Sequence, residues 1–336
     1  MKYDMTFFPS NDIRADREHI IQAEALGFDG VWSAEVAHNP FFPLTLGAKE
    51  TSKIQLGTQI AVAFPRSPMV TAQIAWDLAQ QSNGRFILGL GTQVRAHITR
   101  RFSEEWTNPV SRMREYIEGM RAIWDTFQND ARLRYRGEHY EFRLMAPFFN
   151  PGAIEHPDIP IYLAGVNPKI CKLAGESCDG LHAHAFHTTS YLNDIVLANI
   201  EQGLAESGRN RDNFALTIPL FIVTGTSPEE TQKAEIEAKS RIAFYASTPS
   251  YKAVMAHHNW DEIGVKLSQM AQAGQWDTMW QEIPDDMLYE IAIVAEPDTV
   301  IETIQARYSG VADRICLEWK ADNMELMQTF AEKIRS

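Results

Sequence analysis

Glu35 and His38 stand three residues apart in Ser33-Ala34-Glu35-Val36-Ala37-His38-Asn39-Pro40, directly after a β-rich run. A carboxylate and an imidazole so placed could take and give a proton near neutral pH once a pocket tunes them. They could equally form a surface pair. A second set of imidazoles follows another short run, in His182-Ala183-His184-Ala185-Phe186-His187. Residues two apart on a strand share a face, so His182 and His184 could point together into a substrate pocket, ligate a metal as in a barrel hydrolase, or serve the core. A metal site needs more ligands. No carboxylate or histidine pair at another strand end supplies them, since Asp29 and Asp179 precede their strands, and no metal is expected.

Other stretches combine glycine with nearby cations. Gly89-Leu90-Gly91-Thr92-Gln93 ends a β-rich run, where glycine lets a ligand approach the backbone. It is not the G-x-G-x-x-G of a dinucleotide site, and a lone Gly-x-Gly is a weak signal. His97 and the arginines Arg95, Arg100, Arg101, Arg112 and Arg114 follow, opposed within that stretch only by Glu104 and Glu105. They could receive a phosphate or carboxylate tail, or form a solvated helix face. Ala164-Gly165-Val166-Asn167-Pro168 opens directly into a helix near Lys169. Free backbone N–H groups at a helix start suit a phosphate; a plain strand-to-helix turn is the alternative. Gln59-Ile60-Ala61-Val62-Ala63-Phe64 is apolar beyond its glutamine and cannot continue as a regular strand past Pro65.

All of these segments lie at the ends of short runs that alternate with amphipathic stretches, the sign of a parallel sheet built from βα units. The runs are 2–7, 30–33, 54–62, 86–90, 159–164, 180–183, 215–223 and 314–317. Eight such units make a (β/α)8 TIM barrel, an α/β fold whose chemistry sits at the C-terminal ends of its strands. Stripes at helical spacing, Met113, Ile117, Met120, Trp124 and Phe127, then Leu192, Val196, Ile200 and Leu204, predict helices packed on that barrel. Gly27 predicts the end of the first helix, and Ser227-Pro228-Glu229-Glu230 a capping box opening a later one. Two stretches exceed the minimal barrel. Residues 132–157 alternate bulky and polar side chains about Gly137, as a hairpin does. Residues 244–286 carry Trp260, Trp276, Met279 and Trp280, and are expected to wall the pocket, to form a satellite core or to meet another subunit.

Composition narrows the class. The 336 residues suffice for one barrel domain spanning 1–336, since such barrels need about 250. A net charge of −13 argues against nucleic acid as a bulk partner. No apolar run reaches the roughly 20 residues of a membrane span, and Met1-Lys2-Tyr3-Asp4 does not open a signal peptide, so a cytoplasmic protein without membrane contact is expected. Cys171, Cys178 and Cys316 are too few and scattered for a disulfide framework and are expected in the core.

Several strings together resemble the luciferase-like monooxygenase superfamily: Leu26-Gly27-Phe28-Asp29-Gly30-Val31-Trp32, Arg66-Ser67-Pro68-Met69-Val70 with Asp77-Leu78-Ala79, Gly84-Arg85-Phe86-Ile87-Leu88-Gly89-Leu90-Gly91-Thr92, and Pro160-Ile161-Tyr162-Leu163-Ala164 with Ala174-Gly175-Glu176 and Asp179-Gly180. They occur in the expected order across nearly the whole chain. Ala63-Phe64-Pro65-Arg66-Ser67-Pro68, Gly89-Leu90-Gly91-Thr92-Gln93 and Ala243-Phe244-Tyr245-Ala246-Ser247-Thr248-Pro249 look most like the branch that uses coenzyme F420, a 5-deazaflavin. The resemblance implies hydride transfer between coenzyme F420 and a small organic molecule, in a homodimer. An FMN-dependent monooxygenase on the same scaffold is the first alternative; a metal-dependent hydrolase using His182 and His184, or a non-catalytic flavin-binding protein, is of another class. It further implies a non-proline cis peptide at Gln59-Ile60 or the next bond, within a cofactor-binding segment Gln59-Ile60-Ala61-Val62. Gly91, Thr92, His97 and Arg101 fall where the cofactor's tail is held, and Ala164-Gly165-Val166-Asn167 matches a phosphate-proximal loop. Ile60, Val62 and Phe64 could form the apolar slot for the ring. Relatives place an acid and a histidine side by side after the second strand. Here Glu35 matches the acid, Val36 takes the histidine's place, and His38 lies two positions on. His38 is thus one candidate for proton transfer, and His184, which matches a pocket residue in relatives, is the other.

Overall fold

Short aliphatic runs buried on both faces can pair only beneath covering helices, and in parallel when a helix returns the chain each time. The computed structural model, which describes every residue except Ala321 and Ser336, has that arrangement. Its barrel strands are β1 (Lys2–Phe7), β2 (Gly30–Ser33), β3 (Gln55–Thr58), β4 (Phe86–Gly91), β5 (Ile161–Ala164), β6 (Gly180–His182), β7 (Ala215–Pro219) and β8 (Arg314–Glu318). Every neighbouring pair is parallel. The order runs β3-β2-β1-β8-β7-β6-β5-β4, and β4 returns to β3 through Leu56↔Phe86 and Gly57↔Ile87, which closes the (β/α)8 barrel.

Two expected strands end early. The run 54–62 breaks at a cis Gln59–Ile60 peptide, so Gln55–Thr58 belongs to β3 while Ala61–Val62 re-forms a short ladder against Leu90 and Gly91 of β4. The run 215–223 leaves the barrel at Pro219, whose ring fixes φ and removes a donor. Ile222–Val223 pairs instead with Ile293–Val294 in a separate two-stranded ladder.

The expected stripes are buried: Met113, Ile117, Met120, Trp124 and Phe127 on the helix Pro109–Asn129, and Leu192, Val196, Ile200 and Leu204 on the later helical stretch. Gly27 ends the first helix at φ 85°, a left-handed conformation that favours glycine. At the helix Pro228–Ala246, Ser227 accepts from the Glu230 N–H as a cap should. The reciprocal bond differs from the expected box, because the Glu230 carboxylate takes the Thr226 N–H, one residue before the cap. Cys171, Cys178 and Cys316 are free and buried.

Residues 132–157 contain the expected hairpin, Tyr135–Arg136 against Glu141–Phe142. It leans on the helix Pro109–Asn129, where Glu115 accepts from the N–H groups of Glu138 and His139 in its turn. Residues 244–286 form short helices, among them Lys252–His257 and Asp261–Gln272. Tyr245 and Tyr251 carry this segment onto His184, at the C-terminal end of the barrel.

The barrel interior mixes apolar and polar side chains. Trp32, Ile87, Tyr162 and Cys316 pack inside it. Toward the N-terminal end, the fully buried Asp4 takes two bonds from Arg314, at 2.6 and 2.7 Å, and one from the Trp32 indole at 2.9 Å.

Candidate functional site at the C-terminal mouth

The break in β3 is held from both sides. The Gln59 side chain points inward, its Oε1 accepting from Thr6 at 2.6 Å and its Nε2 facing His182 Nδ1 at 3.2 Å. Beyond the cis bond, Glu35 of the β2 loop clamps the chain. Its Oε2 accepts from the Val62 N–H at 2.7 Å and from Arg66 at 2.8 Å, and its Oε1 from the other Arg66 nitrogen at 2.8 Å. Arg66 also donates to the Val62 carbonyl and lies over the Phe41 ring. A carboxylate whose two oxygens are both engaged in this way is an anchor for the bulge. These contacts give Glu35 a positioning part, through Arg66, whose place no strand or helix pattern announces.

The bulge, the end of β4 and the end of β5 form one continuous surface. Ala61 and Val62 pair with Leu90 and Gly91, and Leu90 pairs with Leu163. Ile60 is half-buried and fills the space above Gly91, where a Cβ would stand 2.6 Å from its Cδ1. Gly165 is explained in the same way, since a Cβ there would meet Ile170 at 2.6 Å. Both glycines make room for isoleucines. Thr92 bonds the Gln93 carbonyl, and Gln93, at φ 59°, accepts from the Val94 N–H just before the short helix Arg95–Arg100.

The arginine cluster divides. Arg112 bonds Tyr140 and pairs with Glu104, and Arg114 pairs with Glu176, so these two are structural. Arg101 reaches across to the Val36 carbonyl and ties the helix Arg95–Arg100 to the β2 loop. Arg95, Arg100 and His97 are exposed. At the end of β5, the Gly165 N–H donates to the His182 carbonyl, and the Val166 carbonyl accepts from Tyr191. Asn167 begins the helix Pro168–Ser177 without capping it, its side chain turned toward the Ser250 carbonyl at 3.4 Å.

The histidines do not converge. His182 is buried against Trp32 and Tyr162, and burial holds its pKa down to about 3. The Nδ1 of His184 accepts from the Phe186 N–H at 3.0 Å, and its ring lies between Tyr245 and Tyr251. Burial first, then the nearby His187 and Arg241, lower its pKa to about 3. His187 bridges the His184 carbonyl and the Tyr308 hydroxyl, and burial lowers its pKa to about 4. Through Nδ1, His182 faces Gln59 and His184 a backbone amide, so the two rings stand in different surroundings. Among the described residues, side chains at metal-binding spacing are Glu115 of the helix Pro109–Asn129 with Glu138 and His139 of the hairpin turn, where Glu115 already serves the turn amides. His38 is half-buried and makes no side-chain hydrogen bond or ion pair with the described residues.

Three further groups at this mouth were given no role by the sequence reading. Glu318 ends β8 on the inner face that Arg314 and Cys316 share by the two-residue period, a signal available in the sequence. It pairs with Arg241, and both line a cavity of about 300 Å³ with Phe221 and Lys320. Tyr245 and Tyr251 are legible as aromatics, but only their contact with His184 gives them meaning.

A family model described as luciferase-like monooxygenase matches residues 4–314. An uncharacterized protein of Mycobacterium tuberculosis is 37% identical over 325 residues, covering 97% of this chain and 96% of its own length. The 5,10-methylenetetrahydromethanopterin reductase of Archaeoglobus fulgidus is 28% identical over 311 residues, covering 90% and 89%. Among solved structures, the coenzyme F420 dependent tetrahydromethanopterin reductase from Methanopyrus kandleri superposes with a TM-score of 0.81 at 21% identity, over 99% of this chain and 97% of the other.

Proposed function

Because the chain belongs to the luciferase-like monooxygenase family, and is thereby a flavin- or deazaflavin-dependent oxidoreductase, we propose that it uses coenzyme F420 and moves a hydride between it and a small organic substrate. The observation that carries this reading is the bulge clamped by Glu35, which lays Ile60, Ala61 and Val62 beside the ends of β4 and β5. An apolar edge of this kind suits a flat ring, and a Mycobacterium tuberculosis relative described as a putative coenzyme F420-dependent oxidoreductase, 26% identical over 84% of this chain, favours the deazaflavin within the family.

The residues fit the group. Ile60, Ala61 and Val62 would back the ring, with Gln59 and Glu35 holding that backbone in place. The uncapped helix start at Asn167, reached through Ala164, Gly165 and Val166, offers N–H groups to a phosphate. Gly91, Thr92 and the exposed His97 lead outward to Arg101, Arg95 and Arg100, which would draw an acidic tail otherwise repelled by the chain's net charge of −13. When bound, the deazaflavin supplies the carbon that carries the hydride. The chain's own work is to hold the substrate within about 3–3.5 Å of it, to exclude water and to manage the accompanying proton. His38, the unengaged imidazole after β2, is the residue for that proton.

The whole chain is read as one domain acting as a homodimer, for whose contact the exposed Leu144, Phe148 and Phe149 are available. Titration of the purified protein with coenzyme F420 and with FMN, followed by fluorescence, tests the cofactor. Saturable F420 binding that weakens with salt and in Arg101→Ala is expected, with FMN weaker. Tight FMN binding without F420 binding would overturn the deazaflavin reading.

A further inference from the structure

Gly89 of β4 leaves a gap inside the barrel that two groups share. The place of its missing Cβ is 1.7 Å from the Thr58 carbonyl oxygen and 2.9 Å from Nε2 of His182. His182, which points inward from β6, is only 2% exposed, with its ring edge-on to Trp32 at 4.8 Å and tilted to Tyr162 at 5.3 Å between centroids. Its other nitrogen, Nδ1, faces the Gln59 side chain at 3.2 Å. One imidazole thus stands against both residues that lead into the bulge, the backbone of Thr58 and the side chain of Gln59.

The protonation of the ring follows from Gln59. Its Oε1 is 2.6 Å from the Thr6 hydroxyl, an O–H···O distance and shorter than amide N–H bonds run, so the oxygen faces Thr6 and the NH2 group faces His182. Nδ1 is then the acceptor, and the ring proton is on Nε2. That N–H is sealed from solvent without a hydrogen-bond partner, and the Thr58 backbone across the Gly89 gap is what it faces. Burial first, then the Arg314 charge, keep the imidazole neutral. An imidazolium would also set an N–H against the Gln59 NH2. A buried donor short of its acceptor is a cost to folding that a phenylalanine would avoid. This points to Nδ1 as the atom the position serves.

We propose that His182 is a positioning residue: as a neutral imidazole protonated on Nε2 it fixes Thr58 and Gln59 from inside the barrel, while Glu35 fixes Val62 from outside, and the bulge between them becomes a rigid backing for the cofactor's ring. The last clause rests on the cofactor reading above. Glu35 holds only the far side, through the Val62 N–H and Arg66. Ile60 and Ala61 carry no polar side chain to fix the turn, so a rotation of the Gln59 side chain is passed on to the surface they form. The Gln59 amide has one further contact, the Cys316 Sγ at 3.5 Å, and a thiol is too weak an acceptor to replace the imidazole.

Hydrogen exchange in the cofactor-free protein tests this, because it separates local from global opening. The Val62 N–H is bonded to Glu35 and the Ala63 N–H to the Gly91 carbonyl, whereas the Trp319 and Asp313 N–H groups close the seams of β8, on Thr6 and Leu216. In His182→Phe, which keeps a ring against Trp32 and Tyr162, exchange at Val62 and Ala63 should quicken about tenfold, the effect of one lost interior hydrogen bond, with Trp319 and Asp313 unchanged. Should that variant not fold, Gln59→Met breaks the same contact from the other side and should give the same pattern. Equal acceleration at all four amides would show a general loosening, and none at the bulge would show that Gln59 stands without His182; either overturns the proposal. A 15N-histidine spectrum that puts the ring proton on Nδ1 overturns it too, the His182 signals being those lost in His182→Phe or moved in Gln59→Met. Coenzyme F420 and its chromophore without the phosphate-bearing tail are then titrated. Both should bind the variant about tenfold more weakly, since the bulge backs the ring. Affinities equal to those of the unsubstituted protein overturn the backing role. Failure of the unsubstituted protein to bind F420 would overturn the cofactor reading, while the exchange pattern still decides what His182 does to the bulge.

Discussion

Glu35 shows how a residue chosen for its chemistry can turn out to hold backbone in place. Its carboxylate joins the β2 loop to the bulge through Arg66 and the Val62 N–H, in a partly shielded setting with side-chain exposures of 8% for Glu35 and 15% for Arg66. Hydrogen bonds to a charged group in such a setting contribute about 1.5–3 kcal/mol. Glu35→Gln should therefore lower unfolding stability in urea by about 1–3 kcal/mol and weaken F420 binding. Arg66→Met should do much the same, and the double variant should cost less than the sum of the two, as expected for groups in contact. If Glu35→Gln left stability unchanged and instead moved a limb of the pH–rate profile, the carboxylate would be handling the proton after all. His38, two positions past the expected site, has no such structural duty among the described contacts, which is why the proton is assigned to it.

At the scale of elements, the site is made by the way β3 and β4 approach each other. Thr58 bonds both the carbonyl and the amide of Gly89, at 2.6 and 3.0 Å, across the point where β3 gives way to the bulge. A Cβ at Gly89 would stand 1.7 Å from the Thr58 carbonyl oxygen, a backbone atom that cannot swing aside. Gly91 differs, because its missing Cβ faces the flexible end of Ile60. Overpacking of a filled interior commonly costs about 1–3 kcal/mol. Gly89→Ala is expected at or above the top of that range, and Gly91→Ala below it, by thermal or urea denaturation. Equal and small effects would mean that the β3–β4 contact is looser than described. The expected continuous strand over 54–62 failed here for a physical reason: its apolar residues are compatible with a strand, and only the inward bonds of Gln59 and the clamp from Glu35 impose the turn.

The whole molecule depends on joining its first strand to its last. β1 and β8 pair from Lys2↔Arg314 to Thr6↔Glu318, and the Asp4–Arg314 ion pair crosses the same seam inside the barrel. Arg314 also reaches Gln55 of β3 at 2.6 Å, so one side chain links three strands. Removing one member of a buried pair leaves an uncompensated charge and costs about 3–5 kcal/mol. Arg314→Met should lose that much in urea unfolding while the variant remains a barrel by circular dichroism. A loss below about 1 kcal/mol would show that Asp4 finds another partner or takes up a proton. The C-terminal mouth lies at the opposite end of the strands, so the structural and chemical ends of the barrel are separate, as the fold generally arranges them.

The alternation of β-rich runs with helical stripes determined the barrel from the sequence, because eight βα units have few ways to bury two-sided strands. Order along the chain also placed Glu35, the Gln59–Val62 segment, Gly91, the 164–167 turn and His184 together at strand ends, and the family resemblance placed the cis bond at Gln59–Ile60 or the next bond, of which the structure has the first. What each residue does there was decided only by tertiary contacts. Glu35 is an anchor because Arg66 arrives from beyond the bulge; Gly91 and Gly165 are small because isoleucines fill their space; the His184 ring is held in one orientation because Phe186, Tyr245 and Tyr251 surround it. A side chain's type is written in the sequence, but its protonation and its free hydrogen-bonding atoms depend on partners far along the chain, as Tyr245 and Tyr251 are from His184.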